Sequence, residues 1–166
     1  GGLLRTGGGR GADTIDLYID GAGEITALTQ KCEEPHVPLI RTSISYGVSS
    51  AEMTAFSSAH EDEGPVDNIT VSVNPAGQSL SFRLVVRSER TLDTEFEKDD
   101  AAPRGTICVV TQDGDSDHPF LILDAEPVVS REGDALILTV PIAQGPGTAQ
   151  ETFRIRVPRG KGDTGD

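Results

Sequence analysis

Apolar and polar residues alternate with a period of two along most of this chain. Ile15, Leu17 and Ile19 alternate with Asp16, Tyr18 and Asp20, and Gly21-Ala22-Gly23 then supplies a turn. Ile69, Val71 and Val73 alternate with Thr70, Ser72 and Asn74. Leu80, Phe82, Leu84 and Val86 alternate with Ser81, Arg83, Val85 and Arg87. Successive side chains of an extended strand point to opposite faces, so this spacing predicts strands with one buried face. Asn74-Pro75-Ala76-Gly77 links the last two runs, and the spacing predicts an antiparallel hairpin there. Further strands are predicted around 25–29 and over 37–46, 106–111, 120–123, 127–130, 135–142 and 152–157. Pro35 and Pro38 lack backbone donors, which places the start of the 37–46 strand at a sheet edge.

Two stretches break the pattern. Residues 50–65 read SAEMTAFSSAHEDEGP. Ser49 or Ser50 as a cap, with Met53 and Phe56 on one face, predicts a short helix over about 50–60. Residues 88–104 are charged and aperiodic, and read as a long connection with a short strand around 92–96. The sum is an all-β fold, an antiparallel β-sandwich or jelly-roll-like arrangement. Ile69, Val71, Val73, Leu80, Phe82, Leu84, Leu136, Leu138 and Val140 are its predicted core. Residues 13–157 form the β domain, with a split into two small domains within 88–104 as the alternative. Residues 1–12, six of them Gly, form a flexible arm unless something outside the segment orders them.

Charge narrows the partners. The 166 residues carry a formal net charge of −13, spread over both halves of the chain. Such a surface repels phosphate backbones, so no nucleic-acid partner is expected. The apolar runs are only a few residues long, so no membrane insertion and no signal-peptide core are expected.

The far end adds a second pattern. Residues 158–166 read PRGKGDTGD, with Gly162 and Gly165 three apart. A collagen triple helix needs Gly at every third place because only hydrogen fits at its axis. Lys161 and Asp163 suit charge pairing between neighbouring chains of such a helix. The segment is therefore a collagen-like start or a disordered polar tail. The chain begins at Gly1 and its single Met is Met53. That fits a trimmed initiator or a piece of a longer protein, and the 158–166 pattern favours the second.

A Gly-rich arm, an acidic all-β domain and the run Lys161-Gly162-Asp163-Thr164-Gly165-Asp166 together resemble minor tail proteins and tail fibres of long-tailed phages. The resemblance is strongest to those of high-GC actinobacterial hosts. It implies a structural virion protein, assembled in the host cytoplasm, that joins a β-rich head to a shaft as a homotrimer. Its implied partners are other tail or capsid proteins and a host-surface receptor. Lys161, Gly162, Asp163 and Gly165 are the implied oligomerisation residues. The alternatives are a capsid decoration or head-fibre protein, a carbohydrate-binding module of a surface protein, and a small hydrolase. No Trp and only seven Phe plus Tyr argue against the carbohydrate reading.

No catalytic group and no cofactor are expected. Asp113, Asp115 and Asp117 are spaced like the opening of a calcium loop. An EF-hand needs Gly where His118 stands and Glu where Asp124 stands, so a plain turn is the preferred reading. His60-Glu61-Asp62-Glu63 and Glu33-Glu34-Pro35-His36 lack a second His at ligand spacing and read as solvated loops. The chain has no Gly-x-Ser-x-Gly and no Gly-Lys-Ser/Thr, which removes the motif for a nucleophile elbow or a phosphate loop. Cys108, between Ile107 and Val109, reads as a buried free thiol. A bridge from it to Cys32 would close a long loop and stabilise by roughly 4 kcal/mol.

Overall fold

The period-two alternation folds into strands throughout. A computed structural model describes residues 2–7, 13–32, 39–60, 64–143 and 150–159, with the backbone alone at 2–7, 59 and 60. The first strands are β1 (Gly2–Gly7), β2 (Thr14–Asp20), β3 (Ala27–Cys32), β4 (Ile40–Tyr46), β5 (Ser49–His60), β6 (Gly64–Asn74) and β7 (Ser81–Arg87). They are followed by β8 (Leu92–Lys98), β9 (Thr106–Gln112), β10 (Leu121–Leu123), β11 (Val128–Glu132), β12 (Ala135–Pro141) and β13 (Glu151–Pro158). There is no helix among the described residues.

The strands form two sheets. The first has the order β1-β2-β7-β12-β11, and the second β3-β4-β5-β6-β13-β10-β9-β8. All neighbours are antiparallel. Buried residues of both sheets share one core, which makes the fold a β-sandwich. Phe82 of β7 and Phe153 of β13 meet inside it, their rings stacked at 4.7 Å and 8°. All nine predicted core residues are buried. Each sheet takes strands from both sides of residues 88–104, and the core includes residues from both sides.

Three sequence expectations are corrected. First, residues 50–60 are not a helix but most of β5, the longest strand. Ala, Met and Glu favour helix, but Ala51 and Met53 also fit a strand with one buried face, and both are buried. β5 pairs with β4 over seven residues and with β6 over eleven, and these ladders override the local preference. Second, β6 and β7 are not a hairpin. β6 lies in the eight-stranded sheet and β7 in the five-stranded one. Residues 75–80 carry the chain across the end of the sandwich, turning where Gln78 N donates to Pro75 O at 2.9 Å. Gly21, at φ +91°, sits beneath this link, where a Cβ would stand 2.5 Å from Ser79 O. Third, β4 from Ile40 onward is not at an edge, while Pro35 and Pro38, on which that reading rested, lie outside the described residues. It pairs on both sides, and the edge strand is β3.

Residues 2–7 form β1, which pairs with β2 of the same chain at the edge of the five-stranded sheet. A neighbouring strand thus orders a Gly-rich stretch that could not hold a strand by itself. On the outer face of that sheet Arg83 grips Asp20 with two bonds of 2.6 and 3.1 Å and lies 4.4 Å over the Tyr18 ring. The Asp20 carboxylate, as hydrogen-bond partner, raises the Arg83 pKa further. Pairs this exposed contribute little stability.

Candidate functional site

The outer face of the eight-stranded sheet carries the most concentrated chemistry. In β13, Phe153 and Ile155 are buried while Arg154 and Arg156 point outward. Strand register sets Arg154 beside Thr70 and Arg156 beside Asn68, with Phe56 of β5 next to Asn68. Residues 99–105, between β8 and β9, close one side. Asp99 and Gly105 tie this loop at its base through Asp99 N to Gly105 O, 3.0 Å. Between loop and sheet lies a groove of about 450 Å³, walled by Pro103 on the loop side and by Phe56, Asn68, Ile107, Arg154 and Arg156 on the sheet.

Asp124 lies at the end of this groove, where the chain leaves the short strand β10. It is 7% exposed. Its Oδ1 accepts a 2.8 Å bond from Arg154 N, and its own N donates to Arg154 O at 3.1 Å. Its Oδ2 is buried and accepts no bond among the described residues. Burial raises the Asp124 pKa, against the opposing pull of the Arg154 amide and the Arg104 charge. Arg104 joins the two acids: its guanidinium donates to Glu151 Oε1 at 3.1 Å and to Asp124 O at 3.4 Å, lies 3.8 Å from Asp124 Oδ1 and stands 4.5 Å over the Phe153 ring. Arg154 and Arg156, by contrast, make no side-chain hydrogen bond and no ion pair within 4 Å among the described residues.

A second region is the exit of β13. This strand runs between β6 and β10, inside the sheet. Past its end, Arg159 N donates to Pro65 O at 2.9 Å and the Arg159 guanidinium lies 2.7 Å from Asp67 Oδ2. Ser57 Oγ holds the other oxygen of Asp67 at 2.6 Å. Lys161, Gly162, Asp163 and Gly165 lie outside the described residues.

The remaining sequence candidates fall apart from the groove. Asp113, Asp115 and Asp117 occupy the exposed turn between β9 and β10. Asp113 has φ +54° and its Oδ1 accepts from Thr91 N at 3.2 Å, while Asp115 Oδ2 lies 3.0 Å from His118 Nδ1. No group of three or more His, Cys, Asp or Glu among the described residues is placed to hold a metal ion. Residues 33–38 and 61–63, and the His60 side chain, lie outside the described set. Cys32 is exposed and Cys108 buried, both free. Sequence reasoning missed the groove because its members come from five separate stretches. The one local signal was the pair Arg154 and Arg156, which alternate with buried neighbours and thus share an outward face.

No protein-family model, no curated protein and no solved structure was found to match this chain.

Proposed function

We propose that this chain is a structural protein of a phage virion, a minor tail or fibre component whose β-sandwich head is joined to a shaft in a homotrimer. The observation that supports this reading is the way β13 is held. A shaft attached after Arg159 pulls on β13. That strand has eight paired positions with β6 on one side and two with β10 on the other. An axial pull loads these hydrogen bonds in shear, together, rather than one at a time. The Arg159–Asp67 pair and the Arg159 N to Pro65 O bond fasten the exit itself. A sandwich that hands on its last strand from inside a sheet suits a mechanical joint. Lys161, Gly162, Asp163 and Gly165 are the residues that begin the shaft in this reading.

The test is the mass of the full-length native protein. Sedimentation equilibrium should give three times the monomer mass, with a triple-helical melting transition in circular dichroism. A stable monomer at micromolar concentration without that transition overturns the reading.

A further inference from the structure

We infer that β3 of one copy of this chain pairs with β8 of a second copy, joining their eight-stranded sheets edge to edge, Leu28 against Phe96 and Lys31 against the acids of β8. This goes beyond the virion reading and holds with or without a shaft.

β3 and β8 are the two end strands of that sheet, and both leave backbone groups open. Ser45 O accepts from Thr26 N at 2.8 Å, so the odd-numbered residues of β4 face β3, and their partners Ala27, Thr29 and Lys31 face back. Leu28, Gln30 and Cys32 therefore aim their N–H and C=O groups at the open side. Across the sheet, Asp113 N donates to Thr91 O and Asp99 N to Gly105 O, so the odd-numbered residues of β8 bond to β9. Thr94, Phe96 and Lys98 are left facing outward. An edge of this kind is a template for another strand.

Exposed apolar surface gathers at the same two places. Among the described residues six large hydrophobic residues are exposed; Ile25, Leu28 and Ile40 lie on or beside β3, and Phe96 lies on β8. Leu28 stands beside Ile44 and Phe96 beside Cys108, both core residues, so each points to the core face of the sheet. They are nevertheless 56% and 47% exposed. The core face thus runs on, uncovered, at both ends.

Charge selects which edge meets which. β3 and β4 contain Lys31 and Arg41 but no Asp or Glu. β8 carries Asp93, Glu95 and Glu97 on the face opposite Phe96. Pairing β8 with another β8 sets acid against acid between chains of net charge −13, and pairing β3 with β3 leaves Lys31 without an acid. Direction agrees. Eight strands that alternate leave β3 and β8 antiparallel, so a copy rotated about an axis along the strands presents β8 antiparallel to β3. With Leu28 opposite Phe96, Gln30 meets Thr94 and Lys31 meets Asp93, and both core faces stay on one side.

The contact is head to tail, so variants that block one edge each should complement one another. Proline where an N–H faces outward removes a donor to the partner and none from the chain's own ladder. Q30P should block β3 and T94P should block β8. L28E and F96K, at exposed side chains, form a second pair that leaves the backbone alone. Sedimentation velocity of the 166-residue protein should show species larger than the monomer at about 100 µM. Each blocked variant alone should be monomeric there, with the parent's circular dichroism spectrum. An equal mixture of Q30P with T94P, or of L28E with F96K, should form a one-to-one dimer and nothing larger. V128K, on the edge of the other sheet, should assemble as the parent does. A parent that stays monomeric up to about 1 mM overturns the proposal. T94P and F96K dimerising alone would mean β3 against β3 and overturns it as well, as does a mixture that stays monomeric while the parent assembles.

Discussion

Phe82→Ala probes the centre of the sandwich. Phe82 and Phe153 are both fully buried, one from each sheet, and their stacked rings join the two layers. Removing the Phe82 ring loses its transfer free energy, about 1.5–3 kcal/mol for a fully buried side chain. It also leaves a void of roughly 100 Å³, worth about 2 kcal/mol where the walls do not collapse. Collapse is resisted here because Phe153 is held from its other side by Arg104, itself tied to Glu151. The expected loss is therefore about 3–5 kcal/mol. For a chain of this length that lowers the melting temperature by about 6–20 °C. The chain has no Trp, so urea titration followed by far-ultraviolet circular dichroism is the suitable assay. Val128→Ala, at a side chain 68% exposed, is the control and should stay within about 0.5 kcal/mol of the parent. A loss below about 1 kcal/mol for Phe82→Ala, at unchanged denaturant slope, would refute the argument that the stacked pair joins the sheets.

Two further outcomes follow from burial. One thiol per native chain, Cys32, should react with an aromatic disulfide reagent at pH 8, and two after denaturation. Burial pushes the Cys108 thiol up to about 11, so its thiolate fraction at pH 8 is on the order of one in a thousand. Two thiols reacting at equal rates in the native protein would contradict this placement. Asp124, whose folded pKa is raised above the ordinary 3.8, binds its proton more readily when folded than when unfolded. Its contribution to stability is then fully present below the ordinary value and is lost as pH rises through the raised one. Stability of the parent relative to Asp124→Asn should fall across that window, measured by urea titrations at several pH values. A flat or rising difference would show that burial does not dominate there.

The sequence by itself determined which faces of the strands are buried. Ile69, Val71, Val73, Phe82, Leu84, Leu136 and Leu138 announce themselves by alternation, since a strand's side chains change face at every residue whatever its partners are. Alternation says nothing about the partner, however. β6 and β7 read as a hairpin because two apolar faces joined by a turn look the same whether the strands lie side by side or face each other across a core. Only the ladders of β6 with β5 and β13, and of β7 with β2 and β12, decided between the two. β5 was ambiguous for a different reason. Ala51 and Met53 stand at strand spacing while Met53 and Phe56 stand at helical spacing, and the choice fell to long-range pairing that no local window contains. The groove lay furthest from sequence reading. Phe56, Asn68, Asp99, Asp124 and Arg154 are scattered over about a hundred residues, and Asp124 stood out only as the wrong residue for a calcium loop. Its burial, its bond to Arg154 N and its unanswered Oδ2 exist only because β10 is short and ends beside β13. Charge, alternation and turn residues are local properties and can be read from the chain; the meeting of distant side chains depends on strand order, which the tertiary structure alone sets.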